Sequence, residues 1–270
     1  MPYRHAHWLL LGIFPLAALA FWPGYLAQFS TSPWQMHVHG VTASLWLALL
    51  VAQSWTIHRG RRDFHRILGL ASLALFPLFL AGGAGIFIGM AVRFEAQASP
   101  FHVMYAPRLA WLDVVAVAAF AGFYHQALQQ RRSVRLHAGY MLATVIFLLP
   151  PILGRLAPIF PPLSPSGPAD FWRLGVGFQL GNAVTAALAF LIGLRQGKDG
   201  APFMLAGILT VIAALLFQFV GGAAWWTSLY ARAADLPEAA LELAAGAAGV
   251  AVAYLGWTSG RSVRPRAVAA

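Results

Sequence analysis

Eight runs of about twenty apolar residues, joined by short polar connections, leave this chain few ways to fold. A run of that length crosses a hydrocarbon layer of roughly 30 Å as a helix, because in lipid each backbone polar group must be satisfied within the segment. The runs lie at 8–28, 36–57, 65–91, 107–128, 136–157, 171–194, 202–222 and 238–258. Composition agrees, since 60% hydrophobic against 10% charged residues is more apolar surface than a soluble domain of 270 residues can cover. The expectation is an all-α integral membrane protein of about eight transmembrane helices, forming a single polytopic domain over 1–270. Within it, 36–157 would make a four-helix unit bearing histidines, and 171–258 three additional helices.

The charges set the topology. A net charge of +10 suggests nucleic acid in a soluble protein, but here 17 of the 18 basic residues are Arg and most sit in short loops. That pattern reads as positive-inside segregation, and no nucleic-acid partner is expected. With the N-terminus inside, Arg4, Arg59, Arg61, Arg62, Arg66, Arg131, Arg132, Arg135, Arg195, Lys198, Arg261, Arg264 and Arg266 share one side, which is 13 of 18. Glu95, Asp113, Asp170, Asp235, Glu238 and Glu242 take the other. Both termini are therefore expected in the cytoplasm, and the chain in a bacterial inner membrane. Ala18-Leu19-Ala20 loosely imitates a signal-peptide cleavage site, yet the apolar run continues through Phe21 and Trp22, so the first helix is read as retained.

Cysteine is absent, which removes disulfides, thiolate chemistry and c-type haem attachment. Redox or metal work falls to His, Met, Asp, Glu or Tyr. Two hairpins repeat one pattern: a helix ending at His58 is followed by one opening at His65, and a helix carrying His125 near its end by one opening at His137. Along the second helix His39, Thr42, Trp46 and Gln53 share a side, and along the fifth His137, Met141, Thr144, Leu148, Pro151 and Arg155 form a stripe. Asp113, deep in the fourth helix, is expensive in lipid unless paired, and Arg155 at similar depth is its expected partner. His5, His7, His58 and His125 read as interfacial residues reaching toward headgroups. Gln179 and Asn182 read as interhelical hydrogen-bonding groups, and Trp225-Trp226 as an interfacial belt.

The stretch from His37 to Arg155 resembles a group of uncharacterised bacterial multi-pass membrane proteins. The shared features are His37-Val38-His39-Gly40, Trp46 and Gln53, His65-Arg66-Ile67-Leu68-Gly69, and a helix opening at His137 and running through Met141-Leu142-Ala143-Thr144 to Arg155. That group brings no assigned activity. The four-helix architecture also looks distantly like transmembrane b-type cytochromes, which would make His65 and His137 ligands of an inner haem b and His39 with His102 those of an outer one.

Three functions follow as expectations. The first is a redox protein carrying electrons through haem b, or a metal ion, with a quinone or a redox protein as partner. The second is a membrane-embedded enzyme acting on a lipid or quinone headgroup at the outer side, with His37 and His39 as metal ligands or bases and Asp113 beside them. On a helix those two rings point about 200° apart, so they share one metal only if the helix starts after His37. The third is a transporter or assembly subunit using Asp113 and the Pro150-Pro151 break.

Overall fold

The computed structural model describes residues 3–262, the last two by their backbone alone. Arg264 and Arg266, counted above with the basic residues, lie outside the described residues. The described chain is helical throughout. Its helices are α1 (Ala6–Phe21), α2 (Trp34–His58), α3 (Arg62–Glu95), α4 (Pro100–Gln129), α5 (Val134–Ala143), α6 (Leu149–Leu156), α7 (Trp172–Gln196), α8 (Ala201–Leu215), α9 (Ala224–Ala231) and α10 (Glu238–Ser262). A 3₁₀ turn over Thr144–Leu148 joins α5 to α6, so these form one span, and α8 runs on through a π-helical turn at Leu216–Val220.

Seven spans among the described residues are long and apolar enough to cross a membrane, which makes this a multi-pass membrane protein. The first expected helix is shorter than the sequence reading: α1 has 16 residues, roughly 24 Å at 1.5 Å per residue. Conversely, α3 has 34 residues and α4 has 30, both longer than the apolar runs that announced them. Ser99 explains the second extension. Its extended backbone and Oγ, which accepts the backbone N–H of His102, cap a helix with Pro100 in its first turn. That places His102 in the first turn of α4 and not in a preceding loop. The helix α9 occupies a stretch that reads as connection.

One end of the bundle collects the arginine loops between α2 and α3, α4 and α5, and α7 and α8. It is called here the basic end. At mid-depth α2, α3 and α4 meet in an aromatic layer of Trp46, Phe76, Phe79, Phe120 and Tyr124, with Phe76 and Tyr124 stacked at 4.3 Å and Trp46 against Phe120 at 5.0 Å. Such offset and tilted pairs add to the apolar area they bury. The polar atoms in this layer are matched: Trp46 donates its indole N–H to Thr144 Oγ1 at 3.1 Å, and Ser72 and Tyr124 share a hydrogen bond of 2.8 Å. Leu10 of α1 and Ala253 of α10 close the cluster at its flanks. A second cluster joins Phe123 of α4, Ile146 and Phe147 of the 3₁₀ turn, Ala189 of α7 and Phe203 of α8. The α7–α8 pair is thus packed onto the four-helix unit through its own core. Small residues allow the close approaches, as where a Cβ on Gly181 of α7 would lie 2.9 Å from the Gly154 nitrogen of α6. Leu9, Leu194, Phe219 and Leu243 are exposed on the outer surface, as lipid-facing residues should be.

Candidate functional site

At the end opposite the basic one, α2, α4 and α6 bring together three groups that are expensive in lipid. The proline pair opens α6 immediately after the 3₁₀ turn, and the helix then presents Arg155 toward the bundle. Its guanidinium donates to the Pro151 carbonyl at 3.0 Å and lies 4.7 Å from the ring centre of Phe21 at the end of α1. Asp113 of α4 and His39 of α2 are both within electrostatic reach of Arg155. The expected Asp113–Arg155 ion pair is not made. The ion pairs among the described residues are Arg135–Asp199 at 2.8 Å and Arg173–Asp170 at 3.7 Å.

The surroundings of His39 are tight on the α3 side. Its ring stacks on Phe79 at 5.6 Å, and a Cβ on Gly82 of α3 would lie 3.1 Å from the His39 Cα, so α3 presses directly on the α2 backbone at this point. Its Nδ1 is buried with no hydrogen-bond partner. Nearby, α9 contributes Tyr230, 2% exposed, whose phenol is raised above its ordinary value by burial and then by the Asp113 carboxylate. Trp111 of α4 stacks on Trp226 of α9 at 4.4 Å and keeps a buried indole N–H without a partner. The cluster therefore gathers a guanidinium with spare donors, a carboxylate and an unmatched imidazole nitrogen, with the rings of Phe79 and Phe21 against it.

A second histidine group lies at the basic end. The Nδ1 of His65 faces the Gln53 carbonyl at 3.3 Å, and the Nδ1 of His137 the Ala127 carbonyl at 2.8 Å. Since a carbonyl only accepts, each Nδ1 carries the proton and each Nε2 is left with its lone pair. The first turn of α3 and the first turn of α5 are thus pinned the same way to the helix before them, and the two imidazoles are within electrostatic reach of each other. Gln53, 8% exposed, adds a buried Oε1 with no partner. Toward mid-depth the space is packed by Leu50, Phe76, Tyr124, Leu128, Met141 and Val145.

Compared with protein-family models, with curated proteins and with solved structures, the chain has no significant match. Its site must be read from its own geometry.

The remaining sequence candidates are not brought into either group. Because α2 begins at Trp34, before His37, the two rings of His37 and His39 diverge. His37 bonds the Tyr25 hydroxyl at 2.9 Å and packs on Phe29, while His39 turns to Phe79. His102 is held by Ser99 at 2.8 Å beside Phe101, with no contact to His39. Among the described residues no group of three or more His, Asp or Glu is arranged to hold a metal ion. Trp46 lies in the core as a structural donor to Thr144. Tyr230 was missed, because in sequence it does not stand out from a membrane aromatic belt.

Proposed function

We propose that the protein binds the oxygen-bearing headgroup of a membrane-soluble quinone or quinol at the pocket formed by His39, Asp113 and Arg155. The observation that carries the reading is an arginine in the apolar layer with one carbonyl partner and no contact ion pair. Five N–H donors on a fixed fork are more than Pro151 uses, and a ligand oxygen is the natural acceptor for the rest. Asp113 decides between headgroup classes. With it near, the pocket is close to neutral overall, which favours a neutral carbonyl or hydroxyl headgroup over a phosphate. Asp113 and His39 would take up the hydroxyl protons of a quinol, and Phe79 and Phe21 provide ring surface. The positive-inside segregation supports a bacterial inner membrane with this pocket on the outer side and both termini in the cytoplasm.

The test is titration of detergent-purified protein with decyl-ubiquinone, followed by quenching of intrinsic tryptophan fluorescence. Saturable quenching that weakens at least about tenfold in Arg155→Leu and less in Arg155→Lys supports the reading, because the lysine keeps the charge and loses the fork. Absence of saturable quenching in the wild type, or equal binding by Arg155→Leu, overturns it.

A second reading rests on the basic-end pair, where both histidines keep Nε2 free while a backbone carbonyl holds Nδ1–H, as it does for many metal-binding histidines. That donor pair suits haem iron or another metal ion, but the packed layer above confines any macrocycle to the rim. A reducible Soret band lost in His65→Ala and in His137→Ala would favour a cytochrome. Colourless protein would remove it.

A further inference from the structure

Two histidines that read in sequence as interfacial are placed side by side by the fold. His7 lies in the first turn of α1 and His58 in the last residue of α2, 51 positions apart, and their ring centres are 6.2 Å apart with planes inclined by 40°. The ring of His58 is fixed: its Nδ1 lies 2.6 Å from the Ser54 carbonyl one turn back, so Nδ1 carries the proton and the Nε2 lone pair is free. That Nε2 is buried and has no partner. The Nδ1 of His7 is likewise buried and without a partner. Each loss is expensive by itself, since a buried polar atom without a partner forfeits its hydration, and here two occur on neighbouring rings.

A direct hydrogen bond does not resolve them, for none forms between the rings. A shared ion does. With metal–imidazole bonds of about 2.0–2.1 Å, two imidazoles bound on opposite sides of one ion have centres a little over 6 Å apart, which the 6.2 Å spacing here accommodates, whereas tetrahedral ligation would draw the centres to about 5 Å. Near-linear ligation by two neutral imidazoles is the preference of Cu⁺. The local charge favours the same choice: Arg59 lies within electrostatic reach of His7, and its cation opposes a second charge on the ion. Ser54 supplies the outer-shell carbonyl that such histidine ligands usually have. The geometry points to a two-histidine Cu⁺ site formed by His7 Nδ1 and His58 Nε2, at the basic end between α1 and α2. It is separate from the pocket around Arg155 and from the His65–His137 pair.

The probe is Cu⁺ itself, titrated under ascorbate into full-length protein purified through a tag free of histidine, against a chromophoric Cu⁺ chelator. The expected result is one equivalent bound, with X-ray absorption reporting two nitrogen ligands. Affinity should fall at least about tenfold in His7→Ala and in His58→Ala, and hold in His125→Ala. His58→Gln, with unchanged gel-filtration behaviour, guards against loss of the fold in the alanine variant. Substoichiometric binding by the wild type, or binding that survives His7→Ala and His58→Gln together, overturns the site.

Discussion

The indole N–H of Trp46 donates to the hydroxyl of Thr144 at 3.1 Å, and that bond ties α2 to the 3₁₀ turn that redirects the α5–α6 span. The Thr144 hydroxyl in turn donates to the Met141 carbonyl at 2.7 Å, so indole, hydroxyl and backbone form one buried chain. Both residues are wholly inaccessible.

Thr144→Val should therefore destabilise by about 1–3 kcal/mol, since it strands a buried indole donor while keeping volume nearly constant. Trp46→Ala should lose more, about 3–5 kcal/mol, by opening a cavity among Phe76, Phe120 and Tyr124. Thermal unfolding in one detergent ranks them. Equal stability of Thr144→Val and wild type would mean that the bond matters little.

Gly82→Val tests how α3 positions His39. Even a Cβ would sit 3.1 Å from the His39 Cα, so the added bulk must push α2 away from α3 at that level. Decyl-ubiquinone binding should weaken by about tenfold, and by more than in Gly89→Val, where a Cβ meets nothing within 4 Å.

Asp113→Asn separates charge from shape. The substitution leaves Arg155 uncompensated, so the pocket should lose preference for a neutral headgroup and gain a short-chain phosphatidylglycerol ligand. Competition between that lipid and decyl-ubiquinone measures the exchange. An unaltered order of preference would show that Asp113 does not set headgroup class.

The lack of cysteine makes sidedness directly measurable. Ser133→Cys, in the arginine turn before α5, should resist a membrane-impermeant maleimide in intact spheroplasts, and Ser164→Cys, after α6, should react. The reverse pattern would invert the orientation assigned from the arginines.

Much of the architecture was legible because bilayer physics is one-dimensional. Each apolar run must close its own backbone hydrogen bonds, so the multi-pass helical class and the grouping of Arg59, Arg61, Arg62, Arg131, Arg132 and Arg135 at one end follow without knowledge of packing. Helix limits were less legible. The long α3 and α4 extend into polar residues that only a cap such as Ser99 recruits, and α9 is an apolar segment too short to span.

What hydropathy and charge determined by themselves is therefore a multi-pass helical protein with a basic end, in which His39, Asp113 and Arg155 belong to the opposite half. Which of these groups touch was decided by tertiary structure. Asp113 and Arg155 approach without pairing, His37 and His39 diverge because α2 starts before both, and His7 meets His58 across α1 and α2. The reason is geometric: helical period fixes the side of a helix on which a residue lies. How each helix is rotated against its neighbours depends on small residues such as Gly82 and Gly154 and on the turn at Thr144–Leu148, and no periodicity along one segment carries that information.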